Sequence, residues 1–208
     1  MRLNEIAKDI SDPKVLKHIL EYDCGEMLGL CRTYYARHQE VRFLYRGYSR
    51  MPPQGYFTGT SPIDRSPRDT DLELHDVLTE LMYDSGLVAS RDNSVFVTPN
   101  RKMANVYGFG NIYIVFPFDG FAYSWSPKVT DLYDFISLND LTEKLEEISE
   151  EGLTKENIQW FKATFQYRKT DLIRALGGSS EIMFTGPYYA FDSNKFFTAL
   201  TNIITGKI

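Results

Sequence analysis

The hydrophobic period changes at Val41, and that change narrows the folds open to this chain more than any other feature. Before it, Val15, Leu16, Ile19 and Leu20 form one helical stripe, and Met27, Leu28, Cys31, Tyr34 and Tyr35 form a second. From it, Val41-Arg42-Phe43-Leu44-Tyr45-Arg46-Gly47 packs aromatic and branched residues into a run that ends on glycine, the pattern of a buried strand. Helical and strand periods in one chain require both element types around a core, so residues 1–40 read as a helical segment preceding a sheet.

The same alternation continues. Residues 51–69 hold Pro52, Pro53, Pro62 and Pro67 together with Gly55 and Gly59, and read as a loop. Thr70 and Glu73 have capping-box spacing and open a helix on which Leu74, Val77, Leu78, Leu81 and Met82 share one face up to Gly86. Ser94-Val95-Phe96-Val97-Thr98 alternates as a strand, and Pro99-Asn100 leads into a short helix through Met103, Ala104 and Tyr107, stopped by Gly108. Ile112 to Phe116 is a further strand, while 121–135 is aromatic but too irregular to assign. Leu141, Leu145 and Ile148, then Ile158, Phe161, Phe165, Leu172, Ile173 and Leu176, predict a pair of helices closed by Gly177-Gly178. Glu181-Ile182-Met183-Phe184 and Tyr188-Tyr189-Ala190-Phe191 flank Gly186-Pro187 as paired strands, and 194–204 reads as a last helix. The fold class expected is α+β, in a single domain of 208 residues.

Composition removes several classes. The chain is 43% apolar and 25% charged, an ordinary globular balance that argues against disorder and against a disulfide scaffold. A net charge of −5 disfavours polyanion binding through bulk charge. The longest apolar stretches fall far short of the ~20 residues that cross a bilayer, and the first ten residues lack a secretory pattern. With two cysteines and no Asn-x-Ser/Thr site, a cytoplasmic protein with reduced thiols is expected. Cys24 and Cys31, seven apart, suit one helical face better than a metal knuckle, and His18, His38 and His75 stand apart from one another, so no metal is expected.

Phosphate-loop, dinucleotide-fold and zinc-protease signatures are absent. What remains is an ordered trio: Tyr45-Arg46-Gly47 closing one strand, Ser94 to Thr98 with Ala104-x-x-Tyr107-Gly108 behind it, and Ser179-Ser180-Glu181-Ile182-Met183-Phe184 entering a third. This order resembles the ADP-ribosyltransferase superfamily, in its arginine, serine, glutamate branch, including phage-encoded relatives, over roughly Val41 to Asp192.

The resemblance implies an ADP-ribosyltransferase-like split β-sandwich from 41–136 and 178–208, with 1–40 as the N-terminal helical segment and 137–177 as an inserted helical pair. It implies NAD as substrate, transfer of ADP-ribose to a macromolecular acceptor, protein or nucleic acid, and action in a cytoplasm, a bacterial one if the chain is an effector. Arg46 takes the family's diphosphate-binding role, for which a planar guanidinium fork is suited, and Gly47 lets backbone approach the ligand. Ser94 and Thr98 are the hydroxyls nearest the family's nicotinamide pocket, and which of them serves is open. Tyr107 is placed to stack on nicotinamide, and Glu181 is the catalytic carboxylate, stabilising charge that develops on the ribose. Arginine-modifying members have a glutamate two positions earlier, where this chain has Ser179, so arginine is disfavoured as acceptor. NAD hydrolysis, or a nucleotide-binding or protein-interaction module without chemistry, fits the same residues.

Each motif also has an ordinary explanation. Arg46 reads equally as a surface arginine before a turn, Tyr107 as core, and the glutamates of 143–151 as a solvated helix face. Arg65 to Asp69, before a helix, reads as an anion-binding flap or as a proline-stiffened connector.

Overall fold

The computed structural model describes residues 10–49, 52–67, 71–108 and 110–208. Along them run α1 (Pro13–Asp23), α2 (Gly25–His38), β1 (Leu44–Gly47), β2 (Tyr56–Thr60), α3 (Leu72–Asp84), β3 (Val95–Val97), α4 (Arg101–Gly108) and β4 (Ile112–Pro117). There follow β5 (Tyr123–Trp125), α5 (Leu132–Leu138), α6 (Thr142–Glu151), α7 (Lys155–Phe165), α8 (Leu172–Leu176), β6 (Ile182–Phe184), β7 (Pro187–Asp192) and α9 (Ser193–Ile204). The fold is α+β with two antiparallel sheets. Two compact units emerge, one from Met1–Gly59, Arg101–Gly120 and Tyr188–Ile208, the other from Thr60–Asn100 and Phe121–Pro187.

The first unit carries the sheet β1-β4-β7-β2. All six residues of β4 are buried, which is why its sequence is a continuous apolar run rather than an alternation. Leu44 faces Val115 across β1 and β4, and Val115 faces Ala190 across β4 and β7. The helical stripes bury as expected: Leu16, Ile19 and Leu20 on α1, and Met27, Leu28, Cys31 and Tyr34 on α2. Asp12 caps α1, accepting from the Lys14 amide at 2.8 Å, with Pro13 in the first turn.

The second unit carries the sheet β3-β6-β5 and the helices α3 and α5 to α8. Its core joins Leu78, Leu81 and Met82 of α3 to Leu145, Ile148, Phe161 and Phe165, with Phe161 and Phe165 stacked at 4.7 Å between centroids.

Several expectations need correcting. The segment 51–69 is not all loop: Tyr56–Thr60 is β2, because its prolines flank the aromatic and threonine-rich run instead of interrupting it. The first turn of α3 is capped by Asp71, accepting from the Glu73 amide at 2.9 Å, while Thr70 of the anticipated capping box lies outside the described residues, as do Arg68 and Asp69. The unassigned stretch 121–135 supplies β5 and the start of α5. Between 137 and 177 there are three helices beyond α5, not a pair: Gln166 ends α7 in the left-handed region at φ 52°, and Arg168 then bridges to Trp125 before α8 begins.

The strands on either side of Gly186-Pro187 do not pair. Both edges of β6 are occupied, by β3 and β5, so β7 has no edge of β6 to join and lies instead between β4 and β2. Gly186, at φ 98°, supplies the left-handed turn where the chain leaves one sheet for the other.

Cys24 precedes the first residue of α2, and Cys31 lies two turns on; both are free and fully buried. Burial pushes the Cys31 thiol up to about 12 and raises that of Cys24 as well, whose Sγ sits 3.6 Å from the Phe116 carbonyl. Because thiolate is the reactive form, neither cysteine is expected to react with a disulfide reagent at pH 8 until urea unfolds the chain. Titration of one thiol in the native protein would contradict this packing.

Candidate functional site

In the first unit, β1 ends on Arg46 and Gly47, paired with Tyr113 and Ile112 of β4. The Arg46 guanidinium lies 5.2 Å from the Tyr48 ring centroid, a cation–π distance, so its fork is held at the strand end. Tyr48 is fixed in turn by a 2.9 Å hydrogen bond from its hydroxyl to that of Tyr188. Gly47 has a reason to be glycine that the sequence did not show. A Cβ there would stand 2.3 Å from the Ala104 carbonyl oxygen and 2.3 Å from the Gly108 nitrogen, so the backbone admitted at Gly47 is that of α4. Tyr107, one residue before this contact, is half exposed and not core.

In the second unit, the two candidate hydroxyls stand at opposite ends of β3. Val95 faces Phe184, Phe96 faces Met183 and Val97 faces Ile182, so Thr98 follows and Glu181 precedes the last pair of the same ladder end. Thr98 is held there, its Oγ1 donating to the Ser179 carbonyl at 3.3 Å and accepting from the Asn100 amide at 3.1 Å. Ser94 sits at the other end of β3, about 13 Å away at the rise of a strand, where its Oγ donates to Asn93 Oδ1 at 3.0 Å. Thr98 thus lies at the end of β3 where Glu181 leads into β6, and Ser94 at the opposite end.

Glu181 does not open an exposed hairpin. Its amide donates to the Thr130 carbonyl at 3.2 Å, and its Oε1 has essentially no solvent-accessible surface. Tyr167 shares its surroundings: burial, then the negative charge of Glu181, raises the Tyr167 phenol well above its ordinary value, opposed by Arg91. A carboxylate with one oxygen buried interacts with charge through a lower effective dielectric than water, which suits it to stabilising a developing cation.

Sequence reasoning missed a polar cluster in this same unit. The guanidinium groups of Arg65 and Arg91 lie 4.4 and 5.8 Å from the Phe96 ring centroid. His75, 4% exposed, has both ring nitrogens buried without hydrogen-bond partners among the described residues. The signal was present in part: His75 stands one helical turn before Leu78 and two before Met82, so it falls on the buried side of α3.

Burial, reinforced by Arg91, lowers the His75 pKa below its ordinary 6.5. A depressed histidine pKa means that the unfolded chain takes up the proton first. Its contribution to stability is therefore full above pH 6.5 and is lost as pH falls through the lowered folded-state value. Urea midpoints are expected to fall between about pH 7.5 and about pH 5.5, with a smaller fall in His75→Leu; equal falls in both proteins would remove His75 as the cause.

No family model matches the chain, and comparison with curated proteins and with solved structures returned no match. Among the described residues, no three His, Cys, Asp or Glu side chains are grouped to hold a metal ion, and no helix is long and apolar enough to cross a membrane.

Proposed function

We propose that this chain is a mono-ADP-ribosyltransferase that cleaves NAD and transfers ADP-ribose to a protein or nucleic acid. The observation that supports the reading is the pairing of β3 with β6, at whose end the Thr98 hydroxyl donates to the Ser179 carbonyl, two residues before Glu181 with its buried Oε1. The finer fold assignment, an ADP-ribosyltransferase-like split β-sandwich, belongs to the same proposal. Its support is the place of the three motifs: Arg46 closing a strand of the four-stranded sheet, and the hydroxyl and glutamate strands adjacent in the three-stranded one.

In the proposed reaction the bond between the ribose C1′ and the nicotinamide nitrogen breaks, and nicotinamide leaves with the electron pair. The ribosyl cation that develops is stabilised by Glu181, which also accepts a hydrogen bond from a ribose hydroxyl. A nucleophile on the acceptor then bonds to C1′ and gives up its proton. The resemblance sets this reaction in the cytoplasm of a bacterial cell, and Ser179, where arginine-modifying relatives have glutamate, directs the search toward other acceptors.

Labelled NAD distinguishes the outcomes: label on a macromolecule from a bacterial lysate supports transfer, and nicotinamide release in buffer alone supports NAD hydrolysis. NAD binding without release supports a binding module. Arg46 keeps the diphosphate role the resemblance gives it and is tested separately: Arg46→Ala is expected to raise the KM for NAD about tenfold or more, as loss of a charge-assisted contact does, with a smaller change in kcat. An unchanged KM would withdraw that role.

A further inference from the structure

A cavity of about 260 Å³ opens on α3 in the second unit. This lies just under the usual range of small-molecule pockets, roughly 300 Å³ and upward, so it is sized for a side chain or a small metabolite and not for a dinucleotide. Two buried polar groups one helical turn apart, His75 and Thr79, line it, being 4% and 8% exposed. Both imidazole nitrogens and the Thr79 Oγ1 are without hydrogen-bond partners among the described residues. Leaving such groups unsatisfied is costly, and a native protein rarely does so without a ligand or water to meet them.

Asp64, Asp76, Glu80 and Asp92 also line the cavity, against the single guanidinium of Arg65, which is drawn onto the Phe96 ring. With a neutral imidazole, the described lining residues carry four carboxylates against one cation, a net of three negative charges. Asp92 is engaged by the Tyr83 hydroxyl at 2.9 Å and by Ser90, so Asp64, Asp76 and Glu80 supply most of the attraction. These acids do not converge with His75 in a metal-binding group among the described residues. The separated carboxylates, with one acceptor nitrogen of the neutral His75 and the acceptor lone pairs of Thr79 beneath them, match a cation that presents several N–H donors in different directions.

We infer that this pocket binds a multidentate organic cation, an alkylammonium or guanidinium group, with His75 and Thr79 accepting its N–H donors and the Asp64, Asp76 and Glu80 carboxylates holding its charge. The inference is independent of the NAD reading. Buried away from solvent and beside Arg91, His75 stays neutral at pH 7 and offers a free lone pair, which an imidazolium would not.

Calorimetric titration of the full chain tests it with three probes: N-acetylarginine amide for a protein side chain, spermidine for a free polyamine, and choline, whose charge has no N–H donor. Binding of either of the first two, with choline silent, is expected, and the tighter of them identifies the source. His75→Leu is expected to weaken that binding about tenfold or more, the worth of a hydrogen bond to a charged group, while melting no lower than the wild type, since it removes an unsatisfied buried group. Thr79→Val, equal in volume, gives the same test should His75→Leu misfold. Equal binding of choline, unchanged affinity in both variants, or no binding of any probe in the millimolar range would overturn the proposal.

Discussion

Replacing Gly47 with alanine is expected to cost the protein about 3 kcal/mol, the upper part of the range for overpacking. The new methyl group would fall 2.3 Å from backbone atoms of Ala104 and Gly108, and backbone in a helix end cannot rotate aside as a side chain does. β1 and α4 must then separate, and the contact is double, because a Cβ on Gly108 would lie 2.6 Å from the Gly47 Cα. Urea denaturation reads the loss directly, and Gly47→Val is expected to be worse than Gly47→Ala. A Gly47→Ala protein within about 0.5 kcal/mol of wild type, the scatter of an ordinary surface change, would contradict the packing of α4 on β1. The same geometry warns that weakened NAD binding in a Gly47 variant reports on strand packing before it reports on a ligand.

The second large effect is catalytic. Glu181→Gln keeps the shape and much of the hydrogen-bonding capacity of the side chain and removes only its charge, so the proposed mechanism predicts a fall of about 10²–10³-fold in kcat for nicotinamide release. Thermal melting is expected to change little by comparison. Because Ser94 lies at the far end of β3 and Thr98 at the end where Glu181 leads into β6, Ser94→Ala is expected under the proposed mechanism to retain most activity and Thr98→Val to lose more. The reverse order of the two hydroxyl variants would mean that the register does not define the pocket.

Much of the fold was legible where periodicity was long. The stripes of α1, α2 and α3 and the apolar run of β4 each followed from spacing alone, because a single buried face or a fully buried strand writes itself into neighbouring residues. What failed was pairing. Glu181 to Phe184 and Tyr188 to Phe191 carry every local mark of a hairpin, yet β6 is filled on both edges by β3 and β5, which no local pattern reports. Similarly, the prolines around Tyr56–Thr60 outweighed its strand residues in a reading by composition.

The site divides in the same way. Arg46, Thr98 and Glu181 stood out as candidates because each sits at a strand end beside a turn signal. That Thr98 and Glu181 lie at one end of the β3–β6 ladder was not legible, since the two strands pair from far apart in the chain. Arg65, His75, Arg91, Phe96 and Tyr167 meet only through tertiary packing, and in sequence each looked like an isolated polar or core residue.

The most direct test of the central claim is nicotinamide release from NAD by the purified protein beside Glu181→Gln, with a bacterial lysate added or withheld. The account predicts release by wild type that depends on the lysate, with label transferred to a macromolecule and both lost in the variant. Release that persists undiminished in Glu181→Gln, or its absence from wild type under both conditions, would contradict it.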